Sequence, residues 1–107
     1  MTIAEFLNAR LDEDERASKA VPEGSRGRER ALAEVAAKRR IVRGYAEAHE
    51  TSMRTVDPSA SDRGGDPWSE LFAWRMAVKC LAAVYANHSE YDTSWEVPEV
   101  SRELTGR

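Results

Sequence analysis

The segment from Trp68 to Trp95 constrains the fold more than any other part of the chain. Its sequence, WSELFAWRMAVKCLAAVYANHSEYDTSW, contains all three tryptophans, two of the three tyrosines, one of the two phenylalanines and the only cysteine. Large aromatic side chains bury more apolar surface than any other residue type. We therefore expect the core of this 107-residue chain to be centred on this segment.

The first part of this segment predicts a helix over about 67–86, with Asp66 as its cap and Pro67 as its first position. Apolar residues recur at steps of three and four: Leu71, Trp74, Val78, Leu81 and Tyr85. Further apolar residues extend around most of the circumference: Phe72, Met76, Cys80 and Val84. A helix that is apolar nearly all round belongs in the middle of a structure or at an interface.

Two more helices are predicted upstream. Thr2 and Glu5 form a capping-box pattern, so the first helix should span about 3–20. The segment VPEGSRG then has the composition of a loop. The second helix should span about 26–49, with Ser25 as a candidate cap. One of its sides carries small residues, namely Ala33, Ala37, Gly44 and Ala48, which indicates either the close approach of another helix or simply the high helix propensity of alanine.

The sequence thus predicts an all-α fold, a small bundle of three principal helices, and no run of residues alternates in the manner of a strand. Residues 1–97 should form one domain with a flexible loop at about 51–66. Asn87 and Glu90 predict a second capping box and a short helical turn that returns Tyr91 and Trp95 onto the third helix. Residues 98–107 are expected to form a weakly structured tail.

Composition excludes several classes of protein. A single cysteine excludes an internal disulfide, and the N-terminus lacks the sections of a signal peptide. No apolar run approaches the roughly 20 residues of a membrane-spanning helix, so we expect a cytoplasmic protein without membrane contact. The net charge of −3 by itself indicates neither nucleic acid nor an anionic membrane as partner.

A basic cluster in the second helix supports an alternative. Seven basic and two acidic residues lie between positions 26 and 43. Its densest part, Lys38, Arg39, Arg40 and Arg43, has the chemistry to contact nucleic-acid phosphates. These side chains spread around the helix, however, and the acidic run Asp12–Glu15 of the first helix offers them counter-charges. Nucleic-acid binding is therefore the second hypothesis.

No residue pattern predicts catalysis, a cofactor or a metal. His88 has no recognisable partner in the sequence, so packing or capping is the favoured role. Cys80 lies among apolar residues and should be an inert buried thiol. The acidic run is consecutive, so its carboxylates point in different directions on a helix and cannot converge on one ion. We expect a non-enzymatic protein.

The excess apolar surface of the third helix predicts an interface. Trp68, Phe72 and Trp74 are its expected contact residues, since aromatic side chains tend to dominate binding energy. The partner would be another protein or a second copy of the chain.

Three segments resemble a known family. They are the opening MTIAEFLNARLDEDERAS, the stretch ALAEVAAKRRIVRGYAEAHE and the stretch LAAVYANHSEYDTSWEV. The second contains L-A-E-V-x-A-K-R-R-I and the third contains Y-A-x-H-x-x-Y-x-x-x-W. Together they resemble an uncharacterised family of small actinobacterial and actinophage proteins, a domain of unknown function. The resemblance implies that source and a cytoplasmic setting, and it transfers no catalytic residue.

The chain departs from that family in several ways. The insertion between the first two helices is shorter here, and the histidine-rich lead into the second helix and the cysteines before the third helix are missing. If those residues bind metal in relatives, the resemblance implies that this chain does not.

Overall fold

The computed structural model describes residues 1–54 and 67–97. It contains three helices, α1 (Ile3–Ala20), α2 (Arg28–Arg54) and α3 (Pro67–Ala83), followed by a short 3₁₀ turn at Thr93–Trp95. The described residues include no strand. The predicted all-α class, with three helices and a C-terminal helical turn, is confirmed.

The start of α1 is fixed by its own side chains. The backbone N–H of Thr2 donates to Glu5 Oε1 at 2.8 Å, and the backbone N–H of Glu5 donates to Thr2 Oγ1 at 3.1 Å. Both bonds of the predicted capping box are therefore formed. After α1 ends, the chain turns through Gly24 and Gly27, whose φ angles of 84° and 89° strain any residue with a Cβ.

The bounds of α2 differ from the predicted 26–49. The helix begins at Arg28 because Gly27 is left-handed and the Arg28 N–H closes a turn on the Ser25 carbonyl at 3.2 Å. It continues to Arg54, so residues 51–54 of the predicted loop are helical. The Ser52 hydroxyl donates to the His49 carbonyl at 2.9 Å, a local bond compatible with the helix. The rest of that loop, with the predicted cap Asp66, lies outside the described residues, as does the predicted tail.

The end of α3 also differs. The helix stops at Ala83 instead of about 86, and the chain continues in tight turns. One such turn is closed by the hydrogen bond that the Tyr85 N–H donates to the Ala82 carbonyl at 2.9 Å. The predicted cap Asn87 does not begin the final helical turn. Asp92 caps it instead, its carboxylate accepting from the Ser94 N–H at 2.9 Å, and these bonds lower the pKa of Asp92.

The core is centred on α1, which corrects the expectation that it lies in the Trp68–Trp95 segment. The largest fully buried side chains are Phe6, Leu7, Leu11, Leu71 and Val78. Trp68 and Phe72 are 59% and 62% exposed. The physical reason is that α1 and α2 pack on one face of α3, and three helices leave its other face uncovered.

The contact between α2 and α3 depends on Gly44. A Cβ built on Gly44 would lie 2.6 Å from Cζ3 and 2.8 Å from Cζ2 of Trp74. Real Cβ atoms do not come this close to other heavy atoms, so only glycine admits the indole here. The small-residue side of α2 therefore does receive another helix at this point, and that helix is the chain's own α3.

Gly44→Ala should destabilise the protein by about 1–3 kcal/mol, because an added methyl overpacks the contact with Trp74. In a Trp74→Ala background the same substitution should stabilise by up to about 1 kcal/mol, because alanine is the better helix former. Urea unfolding of the four proteins measures both effects. Equal effects of Gly44→Ala in the two backgrounds would show that the indole does not require the glycine.

Candidate functional site

Arg10 is the most unusual side chain of the structure. It lies on the apolar face of α1 together with Phe6, Leu7 and Leu11, and only 6% of the residue is exposed. The guanidinium carbon lies 5.3 Å from the centroid of the Phe6 ring, a cation–π distance. A charged group this deeply buried requires polar partners.

The partners of Arg10 come from α1 and from the segment after α3. Arg10 Nε lies 3.0 Å from Glu13 Oε1, and Nη1 lies 3.4 Å from Glu90 Oε1. Nη1 also contacts Nε2 of His88. Arg10 thus joins the middle of α1 to a segment some 80 residues later in the chain, and these contacts compensate for part of its desolvation.

His88 is held on several sides. Its ring lies edge-on to Phe6, with centroids 5.7 Å apart and an interplanar angle of 79°. Its Nδ1 faces the backbone N–H of Glu90 at 3.0 Å, and Nε2 faces Arg10. Because a neutral imidazole has only one acceptor nitrogen, these two donors compete for it. With both nitrogens facing donors of the protein, His88 has the packing and capping contacts that the sequence favoured.

The C-terminal aromatic residues close over Phe6. The Phe6 centroid lies 6.2 Å from that of Tyr85, 6.1 Å from that of Tyr91 and 5.0 Å from that of Trp95. These distances fall in the favourable range for aromatic pairs. The segment Tyr85–Trp95, which we call the aromatic clasp, makes these ring contacts with α1. Its 3₁₀ turn also contacts α3, as the sequence predicted.

A second bond ties the aromatic clasp to α1. The Tyr85 hydroxyl donates to Asp14 Oδ2 at 2.5 Å. Burial, together with this bond to a carboxylate, raises the pKa of Tyr85 well above its ordinary value. The acidic run of α1 is therefore not only a solvated face, since Asp14 is half-buried and bonded to the clasp.

The same acidic run binds the basic cluster of α2. Arg39 Nη2 donates to Asp12 Oδ1 and to Glu15 Oε1, both at 2.8 Å, and these bonds raise the pKa of Arg39. Glu15 also pairs with Lys19 at 2.7 Å. The hydrogen bond from Lys19 has the largest effect in lowering the pKa of Glu15, and the bond from Arg39 lowers it further. The predicted counter-charges are thus found for Arg39.

The four residues predicted for nucleic-acid contact do not line one groove. Arg39 and Arg43 line a groove between α1 and α2, while half-buried Lys38 lines a different groove beside Asp14. Arg40 is exposed and lines neither. The spread that the sequence predicted is present in the structure.

The three predicted interface residues divide into two groups. Trp68 and Phe72 are exposed, whereas Trp74 is half-buried because its ring rests on Gly44. Cys80 is exposed, so the prediction of a buried thiol is wrong. It lies on the face of α3 that neither α1 nor α2 covers.

Among the described residues, no group of three or more His, Cys, Asp or Glu side chains is placed to hold a metal ion. The same part of the chain has no helix with the length and apolar character needed to cross a membrane. The acidic run of α1 directs its carboxylates to Arg39, Lys19 and Tyr85.

Sequence reasoning missed Arg10. The signal was present, since Arg10 lies three and four positions after Leu7 and Phe6, inside the apolar stripe of α1. Its partners were not recognisable, because His88 and Glu90 are distant in sequence and only the folded chain places them there.

The fold and this polar and aromatic cluster define a small three-helix protein closed by a C-terminal clasp. The chain belongs to a family described as Family of unknown function (DUF6221), whose model matches residues 1–97. The matched range includes α1, α2, α3 and the aromatic clasp. Neither the curated proteins nor the solved structures gave a significant match.

Arg10→Met should destabilise the protein by about 2 kcal/mol, because it removes charge-assisted hydrogen bonds while keeping an apolar stem of similar length. The near-ultraviolet circular dichroism signal of the packed aromatic rings should also weaken in Arg10→Met. Chemical denaturation and the aromatic spectrum are the two measurements. Arg16→Met, an exposed position on the same helix, is the control and should change stability by less than about 0.5 kcal/mol.

Tyr85→Phe should change how stability depends on alkaline pH. The raised pKa of Tyr85 means that the folded protein favours the neutral phenol. This contribution is fully present below the ordinary pKa of 10.0 and is lost as pH rises above it. The wild type should therefore lose stability between about pH 9.5 and 11 more steeply than Tyr85→Phe. Tyr45→Phe is the control and should keep the pH dependence of the wild type. If the stability of Tyr85→Phe falls with pH as steeply as that of the wild type, Tyr85 is not the group responsible.

Proposed function

We propose that this protein is a non-enzymatic helical module that acts through protein contacts, with another protein or with a second copy of the chain, at the uncovered face of α3. The observation that carries this proposal is the exposure of Trp68 and Phe72, at 59% and 62%, on one helix. Half-buried Met76 and exposed Cys80 continue the same face towards the end of α3. Isolated apolar residues are normal on a surface, whereas a contiguous group marks an interaction site.

The chemistry of the two rings supports this role. Tryptophan and other large aromatic residues are enriched among the few side chains that dominate binding energy. Trp74, the third residue predicted for contact, is half-buried with its ring against Gly44 of α2, so it is not part of this exposed face. The primary contacts proposed are therefore Trp68 and Phe72.

The absence of an enzymatic role is part of the proposal. His88, the residue best suited to acid–base catalysis at neutral pH, faces Arg10 and the Glu90 amide with its two ring nitrogens. General acid–base catalysis requires a ring nitrogen within reach of a substrate proton. The contacts of His88 support a structural role in closing the aromatic clasp.

The alternative, nucleic-acid binding through Lys38, Arg39, Arg40 and Arg43, has less support. Arg39 is bonded to two carboxylates of α1, and the four side chains do not line one groove. Phosphate binding would have to compete with these internal ion pairs. Retention of nucleic acid that falls steeply as salt concentration rises would favour the alternative.

The resemblance and the composition support a source and a setting. The motifs of α2 and of the aromatic clasp favour an actinobacterial or actinophage protein, and the single cysteine favours the cytoplasm. A phage-encoded protein of this kind would bind a host protein, and a chromosomal one would act as an accessory or self-associating module.

The substitutions Trp68→Ser and Phe72→Ser, made together, should abolish protein association without unfolding the chain, because both side chains are exposed. Sedimentation velocity measures self-association of the wild type and the double variant over a range of concentrations. Affinity capture from an actinobacterial lysate measures binding of a different protein. The wild type should associate in at least one assay, and the double variant in neither.

Met53→Ser is the matched control, since Met53 is 56% exposed and lies on α2. It should leave association unchanged while removing a comparable exposed apolar side chain. A wild type that stays monomeric and captures no protein in a Trp68- and Phe72-dependent manner would contradict the proposed function.

A further inference from the structure

A groove between α2 and α3 combines small residues, an indole ring and two carboxylates. It is lined by Gly44, Glu47, Ala48, Thr51, Glu70 and Trp74 and has a volume of about 240 Å³. The small residues Gly44 and Ala48 contribute its α2 side, the indole of Trp74 contributes an aromatic wall, and two carboxylates contribute negative charge. No basic residue lines it.

The two carboxylates of this groove differ from most of the acidic residues on α1. There, Asp12, Glu13, Asp14 and Glu15 each bond to a basic side chain or to the Tyr85 hydroxyl. Glu47 and Glu70 lie on two different helices that pack together, and neither belongs to an ion pair formed within residues 1–54 and 67–97. Two like charges that line one groove without a counter-charge repel each other, so a cation between them would be stabilised.

The aromatic wall and the size of the groove identify the kind of cation. An indole attracts a guanidinium or an ammonium group through its ring face, and tryptophan is the best ring for this contact. Carboxylates bind the same groups by charge-assisted hydrogen bonds. Pockets for drug-sized ligands and cofactors have volumes of about 300–1,000 Å³, so a groove of about 240 Å³ suits one side chain better than a cofactor.

We propose that this groove receives an arginine or lysine side chain of a protein partner. The inference rests on the proposed function, because it assumes that the chain acts through protein contacts, and it adds that the partner presents a basic side chain. The groove and the exposed rings of Trp68 and Phe72 lie on different sides of α3, so the two can be tested separately. Gly44 then has a second role, because the space left by its missing side chain lets the Trp74 indole lie close to α2 and form the aromatic wall of the groove.

The test uses N-acetyl-arginine methylamide as the probe and N-acetyl-citrulline methylamide as its uncharged isostere. In ¹H–¹⁵N spectra of the full chain, the arginine compound should shift the Trp74 indole N–H and the Gly44 amide in a saturable manner. The citrulline compound should not. The double variant Glu47→Gln/Glu70→Gln should bind the arginine compound about tenfold more weakly or not at all.

Glu29→Gln/Glu96→Gln is the matched control, because it removes the same net charge from two exposed positions away from the groove. It should bind as the wild type does. Equal shifts with both compounds, shifts that persist in Glu47→Gln/Glu70→Gln, or saturable shifts centred on the acidic run of α1 would each overturn the inference.

Failure of this inference is distinguishable from failure of the proposed function. The Trp68→Ser/Phe72→Ser variant should bind the arginine compound normally, because neither residue lines the groove. If the arginine compound does not bind the groove but protein association through Trp68 and Phe72 is observed, only the proposal of a basic side chain on the partner fails. Groove binding without any association through Trp68 and Phe72 would overturn the proposed docking face instead.

Discussion

The structure depends on the burial of Phe6. Its ring lies in the first turn of α1, is fully buried and is surrounded by Tyr85, Tyr91 and Trp95 of the aromatic clasp. Each aromatic pair contributes about 0.5–1.5 kcal/mol beyond the area that it buries. Arg10, one turn further along α1, helps to hold the clasp over Phe6 through His88 and Glu90, and the bond from Tyr85 to Asp14 does so as well. Apolar burial and a buried charge therefore act together at one place.

The electrostatics of α1 follow from the same arrangement. Its second half is strongly acidic, and its carboxylates are distributed among Arg39 of α2, Lys19 of α1 and the Tyr85 hydroxyl of the clasp. The acidic run thus fixes the position of α1 relative to two other parts of the chain. Exposed ion pairs contribute little individually, whereas the half-buried bonds of Arg39 and Tyr85 are screened less. This use of charge leaves α2 with fewer free basic groups for an outside partner.

The face of α3 turned away from α1 and α2 is not covered by either helix. Leu71 and Val78 are buried against the bundle, while Trp68 and Phe72 extend into solvent. Among the described residues, neither the other two helices nor the 3₁₀ turn covers Trp68 and Phe72. The uncovered rings and the acidic groove beside Trp74 are two distinct surfaces, one apolar and one charged, on opposite sides of the same helix.

Local sequence determined the existence and type of the elements. The capping box of Thr2 and Glu5, the prolines and glycines between segments and the 3.6-residue periodicity are signals within a few residues, so the three helices were predictable. Helix ends were less so, since α2 continues to Arg54 through polar residues that carry no end signal. Only the tertiary structure decided that the core is centred on Phe6, that Arg10 is buried, that Cys80 is exposed and that Gly44 seats Trp74. The physical reason is that each of these features depends on which face of a helix is covered, and a helix that is apolar nearly all round, such as α3, does not specify that face by itself.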